Sequence, residues 1–316
     1  MADELLILQE KPAAEYLIAG WRRQWANGGR ISSGLPRYLI EKLGAKKIGE
    51  LGPQVSTMCY PFQVAGTQDA FRPVAAFRGG LPAASMHREN YFHDAGNGLI
   101  IFLGEEPWFR LDLYAHGFFQ ALKELGIKQA AAVEGVNGPA PPDLERRITC
   151  AYSKAEMKEG LQKLGVQFTS YGSEGRRGPT IGMAMVSQAH FEYPDIRMFR
   201  LGAMAPFYPP MTANSQPVGI PRDHRSFYDV MRRLNAMFSL DIDLGELKQL
   251  GETESQELQG ILDKLGEASK DAKQIIDKVR SNYSFTPFGQ HVELDPALDQ
   301  TLEDILRNMP GPSDSD

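Results

Sequence analysis

The sequence is poor in the residues that build a disulfide framework, a membrane span or a nucleic-acid face. Only two cysteines, Cys59 and Cys150, occur in 316 residues. They are too few for a framework and are not spaced as a metal knuckle, so both are expected as reduced, packed thiols. No apolar run approaches the roughly 18 residues of a membrane helix. The opening MADELLILQEK carries neither the basic start nor the small-residue cleavage site of a secretory signal. These absences lead to the expectation of a cytoplasmic protein with no membrane partner. Positive charge is also short, with a formal net charge of −6. Residues 246–316 hold 15 acidic and 7 basic side chains, net −8, which leaves 25 acidic and 27 basic, net +2, for residues 1–245. Phosphate backbones call for a concentrated basic face, so nucleic acid is not expected as a partner. The arginine pairs at 22–23, 146–147, 176–177 and 232–233 read as solvated or interface charges.

Catalytic signatures are missing too. The six histidines are scattered, without H-x-x-x-H or H-E-x-x-H spacing, and no G-x-S-x-G elbow presents a serine. No Lys-Ser or Lys-Thr follows a glycine-rich turn, and G-x-G-x-x-G is absent. Neither metal nor cofactor is expected.

What the chain does have is alternation. GLIIFL, Gly98 to Leu103, is a continuous apolar run suited to a strand buried on both faces. A helical stripe follows, with Leu111, Tyr114, Phe118, Leu122 and Leu125 in register and Gly126 as its stop. KQAAAV, VQFTS and DIRMFRL read as further strands, with helices around Lys154 to Leu164 and after Pro179. Earlier, YLIAGW reads as a strand and Pro36 to Leu43 as a helix. Such a βαβαβ run predicts an α/β fold, a mainly parallel or mixed sheet flanked by helices in a three-layer sandwich. Beyond it, Leu258, Ile261, Leu265, Ala268, Ala272, Ile275 and Val279 form a stripe on one helix of about seven turns, with Thr253 and Gln256 as a capping box. A second helix is expected from Asp295-Pro296 to Met309. The domains expected are an α/β body over 1–248, an acidic C-terminal helical hairpin over 249–309 and a disordered end at 310–316.

Ligands of open parallel sheets sit outside the carboxyl ends of the strands. Four glycine-bearing turns are expected there, starting at Gly104, Glu134, Gly172 and Gly202. The candidate anion or ligand site therefore gathers Gly104, Glu105, Glu106, Glu134, Asn137, Gly172, Gly175, Arg176, Arg177 and Gly178. In YGSEGRRGPTIG, glycines permit converging backbone N–H groups ahead of a helix N-terminus, and the arginines add charge-assisted donors for phosphate, sulfate or carboxylate.

The order of segments is itself distinctive. Gly104-Glu105-Glu106-Pro107, the Tyr-Gly-x-x-Gly at 171–175, Ala205-Pro206-x-Tyr208 and LNAMFSLDIDLGEL, with AGW at 19–21, resemble the proteasome assembly chaperone two family over about residues 5–250. The resemblance implies a nucleoside-phosphorylase-like sheet, often assembled as a homotrimer, without an established enzymatic activity. The expectation is a non-enzymatic chaperone-like or scaffold protein that oligomerises with itself and binds another protein complex. The alternative is an enzyme or sensor that binds a nucleotide, nucleoside or other anion at the carboxyl edge of the sheet.

Overall fold

Strands that can be buried on both faces end up in the middle of a sheet, and the run from Leu99 does so here. The computed structural model describes residues 4–63, 72–170, 178–211 and 216–289. The chain begins with β1 (Leu6–Leu8), β2 (Tyr16–Arg22), a 3-10 turn at Gly28–Arg30, α1 (Ile31–Leu43), β3 (Lys46–Leu51) and α2 (Pro53–Met58). A hairpin of β4 (Val74–Arg78) and β5 (Leu81–His87) precedes β6 (Tyr91–Asp94), β7 (Leu99–Glu105), α3 (Leu111–Glu124) and β8 (Gln129–Gly138). Then come β9 (Ile148–Tyr152), a 3-10 turn leading into α4 (Lys158–Gln162), β10 (Gln167–Phe168), α5 (Ile181–Phe191) and β11 (Arg197–Tyr208). The described chain closes with β12 (Val218–Gly219), α6 (His224–Phe238), α7 (Gly245–Ala268) and α8 (Lys270–Asn282).

Ten strands make one mixed sheet in the order β1-β3-β6-β7-β2-β8-β11-β9-β10, with β12 on β11. The four central strands β7, β2, β8 and β11 are parallel, and β6 and β9 flank them antiparallel. Period-two alternation sends Ala19 and Trp21 of β2 to one face and Ile18 to the other. On the first face these meet Phe102, with Phe118 and Phe119 of α3 and Met185 of α5. On the second, Ile18, Ile101, Val133 and Leu201 meet Leu35 and Leu39 of α1 and Phe227, Leu234 and Phe238 of α6. Each such fully buried side chain contributes about 1.5–3 kcal/mol. The result is the α/β sheet with helices on both faces that the alternation predicts.

Several expectations change. α1 starts at Ile31, and Pro36 lies inside it. Glu134 to Gly138 and Gly202 to Pro206 are not turns but the continuations of β8 and β11, which pair through Pro206↔Gly138. Their glycines serve close packing within the sheet. The tail stripe belongs to two helices, because Ser269 turns to extended backbone (φ −146°, ψ 126°) and caps α8 through its Oγ, which accepts from the Ala272 N–H at 3.3 Å. Thr253 is not a cap. It sits inside α7, where its hydroxyl donates to the Gln249 carbonyl at 3.1 Å. The helix expected from Asp295 lies outside the described residues. Leu258, Leu262 and Ala272 of α7 and α8 bury against Tyr208, Met211 and Ile220, so the tail helices pack on the end of β11.

The arginine pairs divide. Arg146 and Arg233 are fully buried rather than solvated. Arg233 donates to Glu145 and to the carbonyls of Asp229, Gly165 and Thr286, which ties α6 to the returning segment after α8. Tyr283 completes that tie, its hydroxyl accepting from the Arg147 N–H at 2.7 Å and donating to the Glu145 carbonyl at 3.1 Å.

Candidate functional site

β2 and β8 pair only as far as Ala19↔Ala132, after which the 3-10 turn at Gly28–Arg30 inserts between them and Asn27 bridges to Gly135. The sheet therefore splits at its carboxyl edge, and Glu134 sits at the split. Its carboxylate is fully buried. Oε1 accepts from the Gly182 N–H at 2.8 Å, while Oε2 accepts from the Thr180 hydroxyl at 2.6 Å and Arg200 Nε at 2.7 Å. Thr180 in turn is the N-cap of α5, its Oγ1 accepting from the Met183 N–H at 3.2 Å. A helix N-terminus with free N–H groups is an anion site, and here the anion is a side chain of the protein itself. Arg200 spends Nη1 on Thr149 Oγ1 at 2.7 Å. The pair needs space on both sides: a Cβ on Gly202 would lie 2.2 Å from the Arg200 guanidinium carbon, and one on Gly182 would lie 2.8 Å from Glu134 Oε1.

Glu105, at the end of β7, is also buried. Its Oε2 accepts from Arg23 Nη1 at 3.0 Å and Arg88 Nη1 at 3.2 Å. Its N–H donates to Asn90 Oδ1 at 2.8 Å, and its carbonyl accepts from the Tyr60 hydroxyl at 2.8 Å. Arg88 is itself 3 % exposed and lies over the Tyr60 ring, 4.9 Å from its centroid. Beside it, Arg22 pairs with Glu89.

Glu106 differs from both. Its N–H donates to the Arg22 carbonyl at 3.1 Å, but its carboxyl makes no hydrogen bond or ion pair among the described residues. Burial, and secondarily the like charge of Glu134, push that carboxyl up to about 7. A proton held there near neutrality suits acid-base exchange or a charge-sensitive contact.

Of the residues singled out from sequence, Glu105, Glu106 and Glu134 all lie at this edge. Gly104 is in β7, where a Cβ would meet Asn90 and the Phe102 ring at 2.7 Å. Asn137 is exposed on β8, and Gly178 is exposed ahead of Thr180. Gly172, Gly175, Arg176 and Arg177 lie outside the described residues. Sequence reasoning missed Arg88, Asn90, Thr149 and Arg200. Arg200 had a legible signal, a charged residue within the apolar strand MFRLGAM, since a buried cation calls for a buried carboxylate. Cys59 and Cys150 are buried, and burial raises both thiols to about 12. Among the described residues no group of three or more His, Cys, Asp or Glu is arranged to hold a metal ion, and no helix is long and apolar enough to cross a membrane.

The PAC2 family profile matches residues 23–262. No curated protein matches the sequence at a significant level. Among solved structures, the proteasome-assembly chaperone homologue of Mycobacterium tuberculosis superposes with a TM-score of 0.60 at 16% identity, covering 78% of this chain and 94% of that one. A protein of unknown function from Corynebacterium glutamicum gives 0.63 at 12% identity over 95% and 99% of the two chains. PbaB of Pyrococcus furiosus, an archaeal proteasome activator, gives 0.54 at 16% identity over 81% and 97%.

Proposed function

The chain belongs to the PAC2 family, and from that membership we propose that it is a non-enzymatic, chaperone-like scaffold that assembles with itself and binds a larger protein complex. Two of the structural neighbours carry proteasome assembly or activation in their names. Transferred to this chain, those names suggest a partner of the proteasome kind; a homotrimer as the assembled form, taken from the family resemblance, and the cytoplasm as its place complete the proposal. The proposed division is a 1–248 body with an acidic 249–309 hairpin as its appendage.

The observation that carries this reading is the fate of the carboxylates. A catalytic or anion-binding site needs polar groups left over for a ligand, whereas Glu134 and Glu105 are buried and each is held by arginine. The helix N-terminus that would receive a phosphate already holds Glu134 Oε1. Among the described residues, catalysis at this edge would have to run through Glu106, whose carboxyl has no positioned partner there.

Two measurements test the reading. Light scattering at micromolar concentration is expected to give a multiple of the 35.1 kDa chain mass. A thermal-shift screen with phosphate, nucleosides and nucleotides is expected to leave the unfolding temperature unchanged. A ligand present at a hundred times its Kd would add about 2.7 kcal/mol, so a clear shift with any of these would transfer the assignment to the anion-binding alternative.

A further inference from the structure

A groove runs between α8 and the turn that follows β8. It is a cavity of about 360 Å³ with Pro139, Ile275, Val279 and Tyr283 as its apolar lining and Arg147 and Lys278 as its charged one. Ile275, Lys278 and Val279 share a face of α8 through their spacing of three and four residues. Ala272, Ile276 and Val279 already pack with Leu258 and Leu262 of α7, so α8 cannot rotate to bury Ile275. That side chain stays 38 % exposed.

The described chain stops beside this groove. Glu145 holds both the groove wall and the last described segment: its carbonyl accepts from the Tyr283 hydroxyl at 3.1 Å, and its Oε1 accepts from the Phe288 N–H at 3.0 Å. Fully extended, residues 290–294 span up to about 18 Å, enough to bring Asp295 into the groove. Residues 295–309 lie outside the described residues. Their sequence puts Leu298, Leu302, Ile305 and Met309 on one helical stripe, with Asp295 and Asp299 along its border. Over 290–309, Glu293, Asp295, Asp299, Glu303 and Asp304 stand against Arg307, net −4, whereas α8 carries Lys270, Lys273, Lys278 and Arg280 against Asp271 and Asp277, net +2.

We propose that residues 295–309 dock as a helix in this groove of their own chain, with Leu298, Leu302 and Ile305 against Ile275 and Val279 and the Asp295/Asp299 border beside Lys278 and Arg147. A lone helix of this length is marginal in water, so its stripe needs a surface to cover. The short tether holds the segment at an effective concentration of millimolar order, above what a second copy reaches in micromolar protein. Opposite charge on the segment and on α8 favours the same contact. The docking rests on the 249–309 hairpin proposed above and names the surface that its second helix covers.

Disulfide trapping in the full-length chain tests it. Ile275→Cys is combined in turn with Leu298→Cys, Leu302→Cys and Ile305→Cys, and Phe191→Cys with Leu302→Cys is the control. Phe191 is exposed at the end of α5, just before β11, and the register of β11 on β8 puts Pro139 about 30 Å farther along the strands. Cys59 and Cys150 are buried with thiols raised to about 12, so they stay out of the exchange. A disulfide closes only where the two Cα atoms come within about 7 Å. After mild oxidation, a denaturing gel without reductant is expected to show a compact single-chain band for at least one Ile275 pair, formed about tenfold or more faster than in the control. A disulfide-linked dimer would give the groove to the segment of a second copy and overturn the docking within one chain. The absence of a disulfide in all three Ile275 pairs, or equal rates in those pairs and the control, overturns the docking outright. Light scattering on the wild type reads self-association separately, so a monomeric chain that still forms the bond removes the assembly and keeps the docking.

Discussion

Arg146 grips Asp223 with both side chains fully out of water: Nε lies 2.9 Å from Oδ2 and Nη2 3.1 Å from Oδ1. The remaining Nη1 donates to the carbonyls of Pro141, Pro142 and Leu144, and the Arg146 N–H donates to Asp229 Oδ2 at 2.8 Å. One residue thereby pins the proline-rich turn after β8 to the start of α6, where Asp223 also caps the helix through the Ser226 N–H. Removing one partner of a buried pair strands the other charge. Arg146→Ala is expected to cost about 3–5 kcal/mol in urea unfolding, and Arg146→Met with Asp223→Leu distinctly less.

Glu134→Ala leaves Arg200 buried without its carboxylate and the α5 N-terminus without its anion. The expected loss is again about 3–5 kcal/mol. Formate or acetate at tens of millimolar should restore part of the unfolding temperature in this variant and do nothing for the wild type. Equal effects of formate on both proteins would show that the vacated position does not receive an anion.

Glu106 sets a pH dependence of definite sign. Its carboxyl is raised to about 7 in the fold, above its unfolded value. The stability it contributes is therefore fully present below about pH 4.5 and is lost as pH rises through 7. After screening by solvent at a partly exposed group, about 1–2 kcal/mol is expected to disappear between pH 5 and 8. Glu106→Gln should flatten that slope in a series of thermal melts, and an unchanged slope would assign it to another group.

The tail helices and the segment behind them are expected to stabilise the body. Tyr283→Phe removes a donor to the Glu145 carbonyl and an acceptor for the Arg147 N–H, a loss of about 1–3 kcal/mol. Truncation after residue 248 exposes Tyr208, Met211 and Ile220, and is expected to lower the unfolding temperature while a cooperative transition persists. Its complete disappearance would place α7 and α8 inside the main core rather than on it.

The central sheet was legible because its signals are local. The run from Leu99 and the stripe through Tyr114, Phe118 and Leu122 each report their own burial, and β7 and α3 follow. What depended on neighbours across the sheet was not. Gly135 and Gly202 read as turn residues, yet β8 and β11 continue past them, because the register that pairs Glu134 with Gly202 is set 68 residues apart in the chain. The same register brings Arg200 to Glu134, a partnership invisible to spacing. Likewise an apolar stripe that runs unbroken from Leu258 to Val279 gives no hint that Ser269 turns the backbone aside, since the pattern records which faces are buried and not whether the axis is continuous.

β11 is hydrogen-bonded to β8 on one side and to β9 on the other, and β10 hangs on β9. During synthesis from the N-terminus, residues 148–168 therefore leave the ribosome with no place in the growing sheet, because the strand that seats them is made 29 residues later than the end of β10. Until residues 197–208 emerge, β8 presents an open edge. The nascent chain thus passes through a stage in which half a sheet waits for its keystone, and a pause in translation just before Arg197 would prolong the exposure of that edge to other chains.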